Sequence, residues 1–263
     1  MKWSPAELGM TPEQLEATNL LTKTFERFIS RSVIVGSFRI VGFLGSQYVG
    51  TELDKNPHFA DEFSHPLLSE LFIDGEGSFK SIGGYEDLGK YITKRKFEDF
   101  KTAVDAASLV FAHSILDDAT LGYCRVTAII SPKDWEQLIL NKETSLKEVK
   151  SKGIEEIIKT RLKEYIESLE RERLLSKVEL LFKLCRPPRG FSRIANYKYD
   201  RDRLKELNNL RNSIVHGDGP IKKLPNGEED IEFLFKTTLH LMTLITYRYG
   251  VEVNPWVKLM SSS

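Results

Sequence analysis

The chain has 263 residues, 41% of them hydrophobic and 29% charged, which suits one large or two small folded domains and is too apolar for a disordered chain. Thirty-eight basic residues balance thirty-eight acidic ones, so overall charge argues for neither a nucleic-acid nor a membrane partner, and any such case must be local. Two cysteines, Cys124 and Cys185, have no metal-ligand spacing and are too few for a disulfide framework; they read as packed thiols in a reducing compartment.

Met1-Lys2-Trp3-Ser4-Pro5 lacks the apolar stretch and cleavage site of a secretory signal, and a cytoplasmic location is expected. Thr11-Pro12-Glu13-Gln14 predicts a helix start leading to Leu15, Leu21, Phe25, Phe28 and Ile29. From Val33 to Gly50 the β-branched runs favour strand, whereas Gly36 and Gly42 fit a bend or close helix packing. Arg39, Ser46 and Gln47 interrupt this stretch, which falls short of the ~20 apolar residues of a spanning helix and reads as buried core. Residues 51 to 95 are rich in Gly, Asp, Glu and Ser, and predict long connections with short helices. Within them, Gly84 to Lys90 matches most of a phosphate-binding P-loop, but Tyr91 replaces the Ser or Thr that would hold Mg²⁺ and no apolar strand precedes it.

Four later stretches carry helical periodicity. Phe97, Phe100, Val104, Ala107, Phe111 and Ile115 form a stripe widened by Leu109, Val110 and Ala112, which predicts a central helix running on to Ser131-Pro132. Apolar positions from Ile154 to Cys185 predict one long amphipathic helix ended by Pro187-Pro188. A third helix runs from about Asp200 through Leu204, Leu207, Leu210 and Ile214 to Gly217, and a fourth carries Ile231, Leu234, Phe235, Leu241, Ile245 and Tyr249. Four such helices imply a mainly α bundle over residues 96–250. Residues 1–95 form an N-terminal, mostly helical extension or small domain, and 251–263 a tail.

Chemistry concentrates in Leu210-Arg211-Asn212-Ser213-Ile214-Val215-His216-Gly217. On a helix, Leu207, Leu210 and Ile214 share the core side, while Asn212 and His216 are i,i+4 neighbours at its edge and Arg211 reaches toward the same groove. The helix dipole at the C-terminus favours the imidazolium of His216, which suits a group exchanging protons near neutral pH.

R-N-x-x-x-H at the end of a helix in a four-helix bundle resembles the HEPN superfamily, over about residues 97 to 250. The resemblance implies a metal-independent endoribonuclease, with no cofactor and no metal, whose Arg and His motifs pair across a homodimer. Arg211 and His216 match the motif's Arg and His, and Asn212 the polar residue common after the Arg. An acidic residue on an earlier helix often faces that motif, which points to Asp117 or Asp118 as a support for Arg211. RNA is the implied substrate, because its 2′-OH supplies the internal nucleophile that DNA lacks. His216 would move the proton, Arg211 would stabilise the phosphate charge, and the product would be a 2′,3′-cyclic phosphate. Toxin or antiviral-defence roles, and an antitoxin or defence-complex partner, are implied by the resemblance alone. Members of the family also serve as non-catalytic dimerisation or nucleic-acid-binding modules, the alternative reading here.

From Lys183 to Lys205 eight basic residues face two acidic ones, with Phe191, Tyr197 and Tyr199 interleaved. Arg186, Arg189, Arg193, Lys198, Arg201 and Arg203 are candidates to track a single-stranded RNA backbone, with the aromatics stacking bases; a solvated loop is the competing reading. His113 and Asp117 share a helix face and, with His240, make a third and weaker reading as a metal-dependent hydrolase. A metal hydrolase would need more ligands than this cluster supplies, and the usual reading of such residues is a polar notch in the bundle. His58 and His65 have no identifiable partner in the sequence.

Overall fold

The computed structural model describes residues 9–55, 94–139, 153–217 and 226–253. The P-loop-like Gly84–Tyr91, His58, His65 and the Asp218-Gly219-Pro220 stop lie outside the described residues. Among those described, the architecture is mainly α and contains no strand. The elements in order are α1 (Pro12–Lys55), α2 (Lys94–Ile130), α3 (Pro132–Ile139), α4 (Ile154–Ser168), a 3₁₀ turn (Leu169–Arg171), α5 (Leu174–Cys185), α6 (Phe191–Ile194), α7 (Arg201–His216) and α8 (Gly227–Tyr249).

α1 begins where its cap chemistry places it. The Thr11 N–H donates to Gln14 Oε1 (2.9 Å), and the Gln14 N–H donates back to Thr11 Oγ1 (3.2 Å), a reciprocal capping box followed by Pro at the first helical position. The helix then continues through Val33 to Gly50, where the β-branched runs favour strand and the glycines fit a bend or close helix packing. Its β-branched residues carry only a weak bias against helix, which packing along a partner helix overrides. That partner is α2, lying antiparallel: Thr24 sits against Gly122, Arg39 Nη2 donates to Asp105 Oδ1 (3.1 Å), and Gly42 sits against Val104.

α2 is the shared centre of the bundle, as its wide apolar stripe requires. Leu109, Ala112, Leu116, Ala119, Tyr123, Cys124 and Val126 are all buried, and α1, α5, α7 and α8 pack around them. Phe28 of α1 meets Phe235 of α8 edge to face at 6.0 Å between centroids, so the described part of residues 1–95 shares the core of the later helices. At the far end Trp135 of α3 packs on Tyr165 of α4 (5.9 Å), and the Tyr249 hydroxyl donates to Asp134 Oδ2 (2.9 Å). Cys124 and Cys185 are free and buried, with thiols pushed up to about 12 by burial.

Two expectations need correction. The single helix expected from Ile154 to Cys185 is two, broken at Leu169–Arg171, where Glu172 and Arg173 turn extended. The apolar ladder itself breaks there: Leu162, Ile166 and Leu169 step by four and three, but the next buried position, Leu174, is five residues on, a step no single helical stripe accommodates. The other correction concerns Val33 to Gly50. It is not buried core: Val33, Ile34, Ile40, Val41 and Leu44 are 60 to 69% exposed. Among the described residues α2 covers only one side of it.

Candidate functional site at the C-terminal end of α7

α7 is positioned by its cap and its core face. The Asp200 carboxylate accepts from the Arg203 N–H (2.9 Å), closing the first turn. Leu204 and Leu207 are buried against the bundle, which turns the opposite, polar side of the helix outward. That side and α2 border an open groove of about 710 Å³, completed by the turn before α5. His113, Asp117 and Asp118 reach it from α2, Arg173 and Lys177 from the start of α5, and Asn208, Arg211 and Asn212 from α7.

Most of its charges already have partners. The Lys177 side chain is 1% exposed, and its ammonium lies 2.7 Å from Asp117 Oδ1. Asp118 accepts from Arg31 (3.0 Å) and Arg27 (3.3 Å) of α1, and Arg125 reaches Glu170 (2.7 Å) at the rim. His113 Nε2 and Asn208 Oδ1 are 3.1 Å apart. Burial pushes the His113 pKa down; the bond to Asn208 opposes this and the nearby Arg211 guanidinium adds to it, so the ring is neutral at neutral pH. Arg211 Nη1 donates to Asn212 Oδ1 (3.0 Å), while its Nε is buried without a hydrogen-bond partner. Four carboxylates and three cations line the groove, so it is a mixed-charge cleft rather than a basic channel. An anion entering it would meet Arg211, which has no carboxylate partner among the described residues.

The sequence candidates therefore separate. Arg211 and Asn212 line the groove, and His216, one turn beyond Asn212, is exposed in the last turn of α7 outside the groove wall. Asp117 and Asp118 are in the groove beside Arg211, but their ion pairs run to Lys177 and to Arg27 and Arg31. Of the basic stretch, Arg186, Arg189, Arg193 and Lys198 are exposed, whereas Arg201 is paired with Glu179 and Arg203 with buried Asp230. The interleaved aromatics do not stand free to stack bases. Phe191 is buried, Tyr199 stacks on Phe182 (4.6 Å) and the Tyr197 hydroxyl bonds Thr237 Oγ1 (2.8 Å).

His240 is enclosed by Phe182, Phe191 and Tyr197, with burial lowering its pKa, and does not line the groove with His113. No group of three or more His, Cys, Asp or Glu side chains converges to hold a metal among the described residues. Sequence reasoning missed Asn208 and Lys177. Asn208 was within reach of it, since Asn208, Asn212 and His216 repeat every four residues and mark one polar stripe. Lys177 carried no such signal; a lysine amid an amphipathic helix looks solvated until the tertiary fold buries it.

These features define a mainly α helical bundle with a polar groove beside an R-N-x-x-x-H segment. No family model, curated protein or solved structure matches the chain.

Proposed function

We propose that this chain is a HEPN-like, metal-independent endoribonuclease acting on cytoplasmic RNA as a homodimer, in a toxin or antiviral-defence setting. The observation that carries the reading is the end of α7: Arg211 and Asn212 on the groove wall, Arg211 without a carboxylate partner, and His216 exposed one turn on. His216 takes the proton of the ribose 2′-OH or returns one to the leaving 5′-oxygen. Arg211 stabilises the charge that builds on the phosphate oxygens. Asn212 holds the guanidinium in place through its side-chain oxygen. The exposed Arg186, Arg189, Arg193 and Lys198 hold the RNA backbone beside the site.

The test is cleavage of mixed cellular RNA by the purified chain in excess EDTA, with the product ends identified. Wild type should leave 2′,3′-cyclic phosphates, and His216→Ala and Arg211→Ala should each lose about 10²- to 10⁴-fold in rate. Absence of cleavage by folded wild-type protein, or equal cleavage by all three, overturns catalysis. The second reading, a non-catalytic HEPN-like binding or dimerisation module, is favoured by one observation: the groove's four carboxylates repel a polyanion. It predicts unchanged partner binding in His216→Ala.

A further inference from the structure

The half of α1 beyond Phe28 holds most of the large apolar side chains left exposed among the described residues. Its inner side is fastened to α2: Val35 is buried, Gly42 meets Val104, and Arg39 pairs with Asp105, the two side chains being 14% and 15% exposed. Its outer side presents Val33, Ile34, Ile40, Val41 and Leu44, extended at the edge by Phe38 and its edge-to-face neighbour Phe111 of α2. Folded monomers rarely leave so continuous an apolar patch in water.

We propose that this outer face is an interface with the same face of a second copy of the chain. Ser30, Ile34, Ser37, Val41 and Leu44 recur at alternating steps of four and three, the seam spacing of two supercoiled helices, and the two serines, two turns apart, allow close approach. No charged side chain lies on that seam. The seven exposed apolar side chains offer roughly 100 Å² each, about 700 Å² per copy, close to the ~800 Å² per partner of a stable interface.

α1 is also long and apolar enough, by length and composition, to cross a membrane, but its surroundings favour protein. Lys101 of α2 lies over the Phe43 ring (5.5 Å) and Asp105 of α2 pairs with Arg39, both beside this part of α1. Crossing a bilayer would draw those charges into hydrocarbon or tear Arg39 from Asp105. The interface uses no residue of the α7 motif; it rests on the homodimer of the proposed endoribonuclease and names the face that joins the copies, and RNA cleavage by a monomeric wild type would overturn the interface while leaving the cleavage standing.

The experiment is sedimentation equilibrium of the full chain, beside Ile34→Glu/Val41→Glu and Ser37→Cys. Wild type should weigh twice the 30.2 kDa chain. The double variant should dimerise at least about 100-fold more weakly, with its circular dichroism unchanged because both positions are exposed. Ser37→Cys should form a disulfide-linked dimer on mild oxidation, since Cys124 and Cys185 are buried. A wild-type monomer overturns the proposal, as does a dimer that the double variant leaves intact. Co-flotation of wild type, but not the double variant, with phosphatidylcholine/phosphatidylserine vesicles, together with a monomer in their absence, would give the face to a membrane instead.

Discussion

The two halves of α1 differ in apolar content and in fate: six of the 17 residues from Pro12 to Phe28 are hydrophobic, against twelve of the 27 that follow. From Pro12 to Phe28, Ala17, Leu21 and Phe28 are buried against the bundle, and even Thr18, Thr22 and Thr24 are inside. Beyond Phe28 the helix keeps α2 as a neighbour but leaves an outer stripe of valine, isoleucine and leucine in solvent. A helix that is apolar on one stripe is satisfied by one partner; a helix apolar all round needs two. The comparison teaches that hydrophobicity sets how much surface must be covered, while the number of neighbouring elements sets how much is covered within the chain.

The sharpest way to break this contrast is to truncate one residue from each half. Leu21→Ala, at 0% exposure, should lower unfolding free energy in urea by about 2–5 kcal/mol. Val41→Ala, measured at the lowest protein concentration, should change it by no more than about 0.5 kcal/mol. Equal losses would mean that the distal half is buried in the isolated chain.

Glycines give a smaller and opposite-signed pair. A Cβ at Gly122 would meet Thr24 Oγ1 at 2.6 Å, so Gly122→Val should force α1 from α2 and cost about 1–3 kcal/mol. A Cβ at Gly36 meets nothing within 4 Å, so Gly36→Ala should stabilise by about 0.4–1 kcal/mol. Thermal unfolding reads both.

The smallest effect is in pH. Burial holds the pKa of His113 and of His240 below the ordinary 6.5. Between the folded and unfolded values the unfolded chain binds more protons, so the stability these rings contribute is present above about 6.5 and is lost as pH falls through the folded values. The melting temperature should drop from pH 7.5 to 5.5, and less so in His240→Phe, which keeps the aromatic contacts. Val41→Ala should show the wild-type pH dependence, because neither ring lies on the distal face of α1.

Much of the helical architecture was legible because periodicity and punctuation are local. The Thr11 capping box, the central stripe from Val104 to Ile115, Asp200 as a cap and the run from Ile231 to Tyr249 all appear where their residues demand. The five-residue step from Leu169 to Leu174 was equally visible, and marks the break that the long-helix reading passed over. In the site, the juxtaposition of Arg211 with Asn212 followed from adjacency on α7, and Asn208 from the same four-residue stripe. The pairing of Asp117 with Lys177 and of Asp118 with Arg27 and Arg31 did not, since each joins residues tens of positions apart. The inward turn of Tyr197 and Tyr199 was hidden for a similar reason: an aromatic ring serves a core and a base stack equally well until its neighbours are known.

By itself the sequence determined that the chain is mainly α, where its principal helices start and stop, and which polar residues share the end of α7, because propensity, capping and 3.6-residue spacing act within a few turns. Only the tertiary structure decided that α1 joins the core of the later helices, that Lys177 is buried, that the groove carries mixed charge, and that the distal outer face of α1 is exposed among the described residues. Burial and ion pairing depend on which surfaces meet, and helices distant in the chain meet only in the folded molecule.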